Sequence, residues 1–166
     1  PHAADVILGR QLGGLVDGEV SGGESIQGPV RPAQALEELN LQMASVGRGE
    51  EFISLVVLVF DTEAETMRYA SAGHPATFLF HEREVRPLRS TGPLLMLDPE
   101  GTYFSREIPL ERDDMVLLYT DGLAEARTGD EQFGEQRIGD ALRRDPGIAP
   151  GVLCKQLLDS VNDFSY

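Results

Sequence analysis

The stretch FISLVVLVF, residues 52–60, decides the fold class. It is almost wholly apolar and rich in β-branched residues. A helix would leave a polar stripe, and a half-exposed strand would alternate. Nine residues without either pattern read as a central strand buried on both faces. Working outward from it, TMRYASAG (66–73), ATFLFH (76–81), EVRPL (84–88), TYFSREIPL (102–110) and DMVLLYT (114–120) follow as further strands. Their connections are short, and ERE at 82–84 has the length of a hairpin link, so the sheet order is an antiparallel meander. The expected strands are 52–60, 66–71, 76–81, 84–88, 103–109 and 114–120.

On either side of these strands the period changes to that of helices. PAQALEELNLQMASV (32–46) carries Leu36, Leu39, Met43 and Val46 on one face, with Pro32 in the first turn where proline is tolerated. Helices are also expected around 134–144 and over 150–164. Residues 3–16, AADVILGRQLGGLV, place Val6, Ile7, Leu12, Leu15 and Val16 at helical spacing, although their glycines weaken a helix. DGEVSGGESIQGP (17–29) reads as a flexible Gly-Ser loop. Strands in sequence with helices outside them give an α+β class: a layered sandwich of largely antiparallel sheets flanked by helices.

The chain has 166 residues, enough for a single domain with its own core, here residues 1–166. Its 28 acidic and 14 basic residues give a formal net charge of −14. That balance excludes nucleic acid as a partner, since little would neutralise phosphates, and speaks against an anionic membrane surface. The longest apolar run is far too short to insert in a bilayer. One cysteine, Cys154, rules out an internal disulfide. It sits in the helical pattern VLCKQLLDSV and reads as a buried core thiol. No secretory leader is recognisable, so a reducing, cytoplasmic setting is the expectation.

The stretch VLLYTDGLAEA, residues 116–126, sets Asp121 at the end of a hydrophobic strand and Gly122 after it. Two readings stand. Asp-Gly is a common turn pair, because both residues tolerate positive φ. A carboxylate at a strand end, beside a glycine that lets a ligand approach, is also a favoured metal ligand.

Several motifs in order tilt that choice. YASAGHPATFLF (69–80), then STGPLLML (90–97), then DDMVLLYTDGLAEARTGDEQFGEQRI (113–138) resemble the bacterial type 2C (PPM-type) protein phosphatase domain of the stage II sporulation protein E and sigma-factor regulator kind. RPAQALEELN (31–40) is similar to the helix that precedes that family's long central strand. The resemblance implies a metal-dependent protein serine/threonine phosphatase that uses direct attack of water held by two divalent cations, Mn²⁺ or Mg²⁺. Such cations sit roughly 3.5–4 Å apart and need several converging carboxylates. Asp121 is the implied metal ligand and catalytic residue. Gly122, Gly73 and His74 are implied to border the site, His74 shaping its turn. The implied substrate is a phosphoprotein in a bacterial signalling switch, with an anti-sigma-factor antagonist as one candidate. A homodimer is a second partner to expect.

The family's leading D-x-x-G-H-G segment and its closing Asp-Asp segment are not in this sequence, so the domain reads as truncated at both ends. GEVSGGES, with Glu19, looks like a substitute but lies at the wrong place to converge, since RPAQ begins about eight residues after Gly23, and is set aside. Asp113 and Asp114 read as solvated loop carboxylates, and Glu125 and Arg127 as an exposed pair flanking a turn. Gly122 is assigned to backbone freedom. The missing ligands motivate a rival reading: a metal-free relative serving as a protein-interaction module.

Overall fold

The computed structural model of the chain describes residues 5–8, 31–46 and 51–165. They divide into two compact units. The first holds residues 5–8, 31–46, 51–74 and 89–112; the second holds 75–88 and 113–165.

The first unit is a four-stranded antiparallel sheet and a helix. β1 (Asp5–Leu8), β2 (Leu55–Asp61), β3 (Thr66–Ala72) and β6 (Arg106–Pro109) lie in the order β1-β2-β3-β6. Residues 55–59 are buried throughout, as a two-sided apolar run requires. β2 turns into β3 over residues 62–65, where Asp61 Oδ1 accepts the N–H groups of Glu63 (3.1 Å) and Ala64 (2.8 Å). This is the local side-chain turn that aspartate favours.

The helical reading of residues 3–16 is corrected at its start. Residues 5–8 are a strand, Asp5 opposite Phe60 and Leu8 opposite Val57. The partner lies some fifty residues away in sequence, so local periodicity could not reveal it. The rest of that segment, the Gly-Ser loop and Glu19 lie outside the described residues.

α1 (Pro32–Val46) starts at the expected proline. Its Ala33 N–H is capped from a distance by Ser105 Oγ, 2.9 Å away. Leu36 is fully buried, with Leu39 and Met43 packed on the same cluster, but Val46 is 82% exposed and leaves the expected face. Asn40 takes the core position instead. Its Nδ2 donates to the Asp98 carbonyl, and its Oδ1 accepts the Met96 N–H, both at 2.7 Å. A buried amide that satisfies two backbone groups fixes the 96–98 turn as an apolar side chain could not.

The second unit holds the three-stranded antiparallel sheet β5-β4-β7: β4 (Thr77–His81), β5 (Glu84–Leu88) and β7 (Met115–Leu117). Glu82 and Arg83 both have positive φ, 50° and 67°, so the β4–β5 link is a two-residue turn of the kind that follows strand twist, made without glycine or asparagine. After β7 come α2 (Asp121–Ala124), the small hairpin β8 (Arg127–Thr128) and β9 (Glu131–Gln132), α3 (Gly134–Arg144) and α4 (Pro150–Phe164). Leu123, Phe133, Ile138, Leu142, Leu153 and Leu157 from these elements bury with Phe78, Phe80, Leu117 and Tyr119 in one core. Each such apolar side chain contributes on the order of 1.5–3 kcal/mol. Arg137 ties hairpin to helix by donating to the carbonyls of Gln132 and Phe133, with its guanidinium 4.7 Å from the Phe164 ring centroid.

All pairings between the named strands are antiparallel, α1 precedes the run β2–β7 and α2, α3 and α4 follow it, so the α+β class holds. Four expected strands start later than their sequence patterns: 52–60 begins at Leu55, 76–81 at Thr77, 103–109 pairs only over 106–109, and 114–120 only over 115–117. Cys154 on α4 is half-buried rather than a core thiol.

Candidate active site

Asp121 is mounted on a short, well-anchored step. β7 pairs with β4 through Phe78–Leu117, Leu79–Val116 and Phe80–Met115. Tyr119 is buried and stacks on Phe78, with ring centroids 5.7 Å apart. Thr120 stays extended, and the chain then turns into α2 at Asp121. Leu123 N–H bonds to the Thr120 carbonyl at 3.0 Å and Glu125 N–H to the Asp121 carbonyl at 2.7 Å, which closes the single turn. Leu123 anchors that turn in the core, while the Asp121 side chain is exposed. Its Oδ1 accepts the Gly122 N–H at 2.9 Å. The step therefore presents a carboxylate at a strand end, held by backbone on one oxygen.

Gly122 corrects an expectation. It is not among the residues with positive φ, and a Cβ there would meet nothing closer than Thr120 Oγ1 at 3.7 Å. Backbone freedom does not account for it.

Gly73 and His74 belong to the first unit. Gly73 has φ +58°, and an added Cβ would lie 2.6 Å from Leu94 Cδ2. Its N–H is held by Ser90 Oγ (2.8 Å) and the Gly92 carbonyl (3.1 Å). His74 is half-buried, with Nδ1 3.3 Å from Ser54 Oγ. Asp121 is in the second unit, so each motif is a separately built feature.

Asp114 is the second correction. It is not a solvated loop carboxylate: its side chain is 9% exposed, and its Oδ2 lies 2.6 Å from His81 Nδ1. Asp113 beside it is exposed, at φ 73°. Glu125 and Arg127 are both exposed. Sequence reasoning missed His81 because its partner is 33 positions away. The β4–β7 register that joins them is not a local signal.

Two phenols have displaced ionisation. Burial, then the Asp98 and Glu37 carboxylates, hold Tyr103 above its usual value. Burial also raises Tyr69, against the opposing pull of Arg106. Both stay neutral near pH 7 and supply no acid–base group there.

The donor chemistry of Asp121 suits a hard divalent cation, which selects carboxylate oxygen. One carboxylate does not make a complete site, since such ions take about six oxygen ligands.

The profile of the family described as Stage II sporulation protein E matches residues 10–165. Phosphoserine phosphatase RsbU of Bacillus subtilis is 28% identical over 101 residues, 60% of this chain and 30% of that protein. Protein IcfG of Synechocystis is 30% identical over 93 residues, 55% of this chain and 15% of that one. The chain thus spans less than a third of the length of either relative. Among solved structures, the SiaA-PP2C domain of Pseudomonas aeruginosa superposes with a TM-score of 0.70 at 20% identity, over 81% of this chain and 53% of that one. The RsbU and RsbW domains of a Mycobacterium tuberculosis protein give 0.66 at 25% identity, over 81% and 38%. The phosphatase domain of SpoIIE from Bacillus subtilis, presoaked with Mn, gives 0.56 at 11% identity, over 98% and 84%. The first and third of these speak to the fold alone.

Proposed function

The chain belongs to the Stage II sporulation protein E family, and on that premise we propose that residues 1–166 form a single domain that supplies most of a metal-dependent protein serine/threonine phosphatase. Its substrate is a phosphoprotein of a bacterial signalling switch, with a phosphorylated anti-sigma-factor antagonist as the leading candidate. The observation that carries this reading is the exposed Asp121 carboxylate at the turn that follows β7, within a family match that spans almost the whole chain.

Mn²⁺ or Mg²⁺, when bound, supplies the Lewis-acid chemistry that phosphate monoester hydrolysis needs. Asp121 offers it a hard oxygen ligand. β7 and the buried Tyr119 and Leu123 keep that ligand in place. The acidic chain repels a phosphoprotein unless cation charge offsets it, which makes metal dependence part of substrate binding as well as of chemistry. No helix among the described residues is long and apolar enough to cross a membrane, and we place the domain's work in the cytoplasm.

The test is a phosphatase assay on the full-length protein with Mn²⁺, using a phosphoserine peptide and p-nitrophenyl phosphate. Turnover that requires Mn²⁺ and Asp121 supports the reading. The absence from this sequence of the segments that carry the other implied metal ligands favours a second reading, a metal-free interaction module of the same fold. Inert full-length protein that still captures its phosphoprotein partner would establish that one.

A further inference from the structure

β7 leads through residues 118–120 to Asp121 at the start of α2, yet it is three residues long, and among the described residues it is hydrogen-bonded to β4 alone. A strand held by three rungs is poorly defended against slippage. Shifting it by one residue would turn every side chain to the other face, which the buried Leu117 and Tyr119 forbid. A shift by two keeps the faces. It would move Asp121 along the strand by roughly 6.5–7 Å, whereas metal ligands must stay within about 0.2 Å of ideal distances. Alternation of faces alone does not exclude that second slip, although the slip would part the Tyr119–Phe78 stack.

His81 and Asp114 do. Continuing the register beyond Phe80–Met115 sets residue 81 opposite residue 114. Their side chains are 6% and 9% exposed and meet Nδ1 to Oδ2 at 2.6 Å. An ionised carboxylate only accepts, so His81 Nδ1–H is the donor. A two-residue slip would part them, and breaking a hydrogen bond between two largely covered polar side chains carries a desolvation penalty. No apolar pair at these positions would carry that penalty.

We propose that His81 and Asp114 are a positioning pair: their buried hydrogen bond locks the register of β7 and so places Asp121. Neither touches substrate. The inference rests on the reading of Asp121 as a metal ligand.

The decisive variant is H81F/D114L in the full-length protein. Replacing a buried polar pair by apolar side chains of similar size preserves stability, so it removes the lock without unfolding the unit. Asp114→Ala alone strands a buried imidazole and is the harsher variant. Asp114→Asn keeps an acceptor for His81 and should behave like the parent. Two quantities are read: Mn²⁺ affinity by titration calorimetry, and hydrogen-exchange rates of peptides spanning 76–81 and 114–121. For H81F/D114L we expect an unchanged melting midpoint, at least roughly tenfold weaker Mn²⁺ binding and roughly tenfold faster exchange over 115–117. Parent-like exchange overturns the lock. Faster exchange with unchanged Mn²⁺ affinity overturns the positioning role. If Asp121→Asn leaves the parent's Mn²⁺ affinity intact, the metal-ligand reading is what fails, and the exchange rates alone decide the lock.

Discussion

Gly73 and Gly122 each sit in a motif that marks the family resemblance, one beside His74 and one beside Asp121, and their surroundings differ. Gly73 is demanded by the backbone. Its φ is +58°, Leu94 leaves no room for a Cβ, and its N–H is held by Ser90 and Gly92. Gly122 lies in a helical turn with no positive φ and no atom within 3.4 Å of the side chain it lacks. A methyl group there would even favour the helix, since alanine is a better helix former by about 1 kcal/mol. The fold alone does not require a glycine at position 122. Folding explains the glycine of the first motif and leaves that of the second unexplained.

The largest expected effect is at the carboxylate beside that open space. Asp121→Asn keeps the shape and removes a charge. In the full-length protein, Mn²⁺-dependent turnover should fall by roughly tenfold or more with the melting midpoint unchanged. Undiminished turnover at saturating Mn²⁺ would reduce Asp121 to a turn residue and remove the contrast between the motifs.

Gly73→Ala comes next and should act on stability. Positive φ and the Leu94 contact together predict a loss on the order of 1–3 kcal/mol in chemical denaturation. A variant as stable as the parent would mean that the 73–75 turn relaxes at no cost.

Gly122→Ala sharpens the comparison most directly. Its stability should stay within about 0.5 kcal/mol of the parent, or rise slightly. Turnover is the separate readout: a loss at full stability marks the space as functional. A large drop in melting midpoint would show that the turn needs its glycine after all.

The smallest signal is expected from the 166-residue chain by itself. With Asp121 as its one assigned ligand, it should bind Mn²⁺ at about millimolar strength or weaker. Micromolar binding by calorimetry would require further carboxylates of this chain to complete the site.

Much of the second unit's helical content was legible because each helix advertises its own ends. The pattern expected a helix over 150–164, and α4 runs Pro150–Phe164, opened by its proline. α1 matches equally well, yet Val46 leaves its expected buried face and Asn40, which the apolar pattern does not single out, joins it. Val46, apolar, is exposed, and Asn40, polar, is fully buried because the Met96 N–H and Asp98 carbonyl satisfy it. Burial was inferred from hydrophobicity, but the 96–98 backbone needed an amide.

The sequence by itself determined what one segment can signal alone: the two-sided strand at 55–59, the helix starts at Pro32 and Pro150, and a carboxylate at the end of a hydrophobic strand. Each follows from local periodicity, from the fixed φ of proline, or from a break in polarity. The tertiary structure decided what depends on a distant partner. Residues 5–8 became a strand because β2 was there to pair with. Asp114 turns its side chain away from solvent because His81, 33 positions earlier, faces it across the β4–β7 register. Hydrogen-bond partners satisfy buried polar groups irrespective of sequence distance, and no window of residues contains that information.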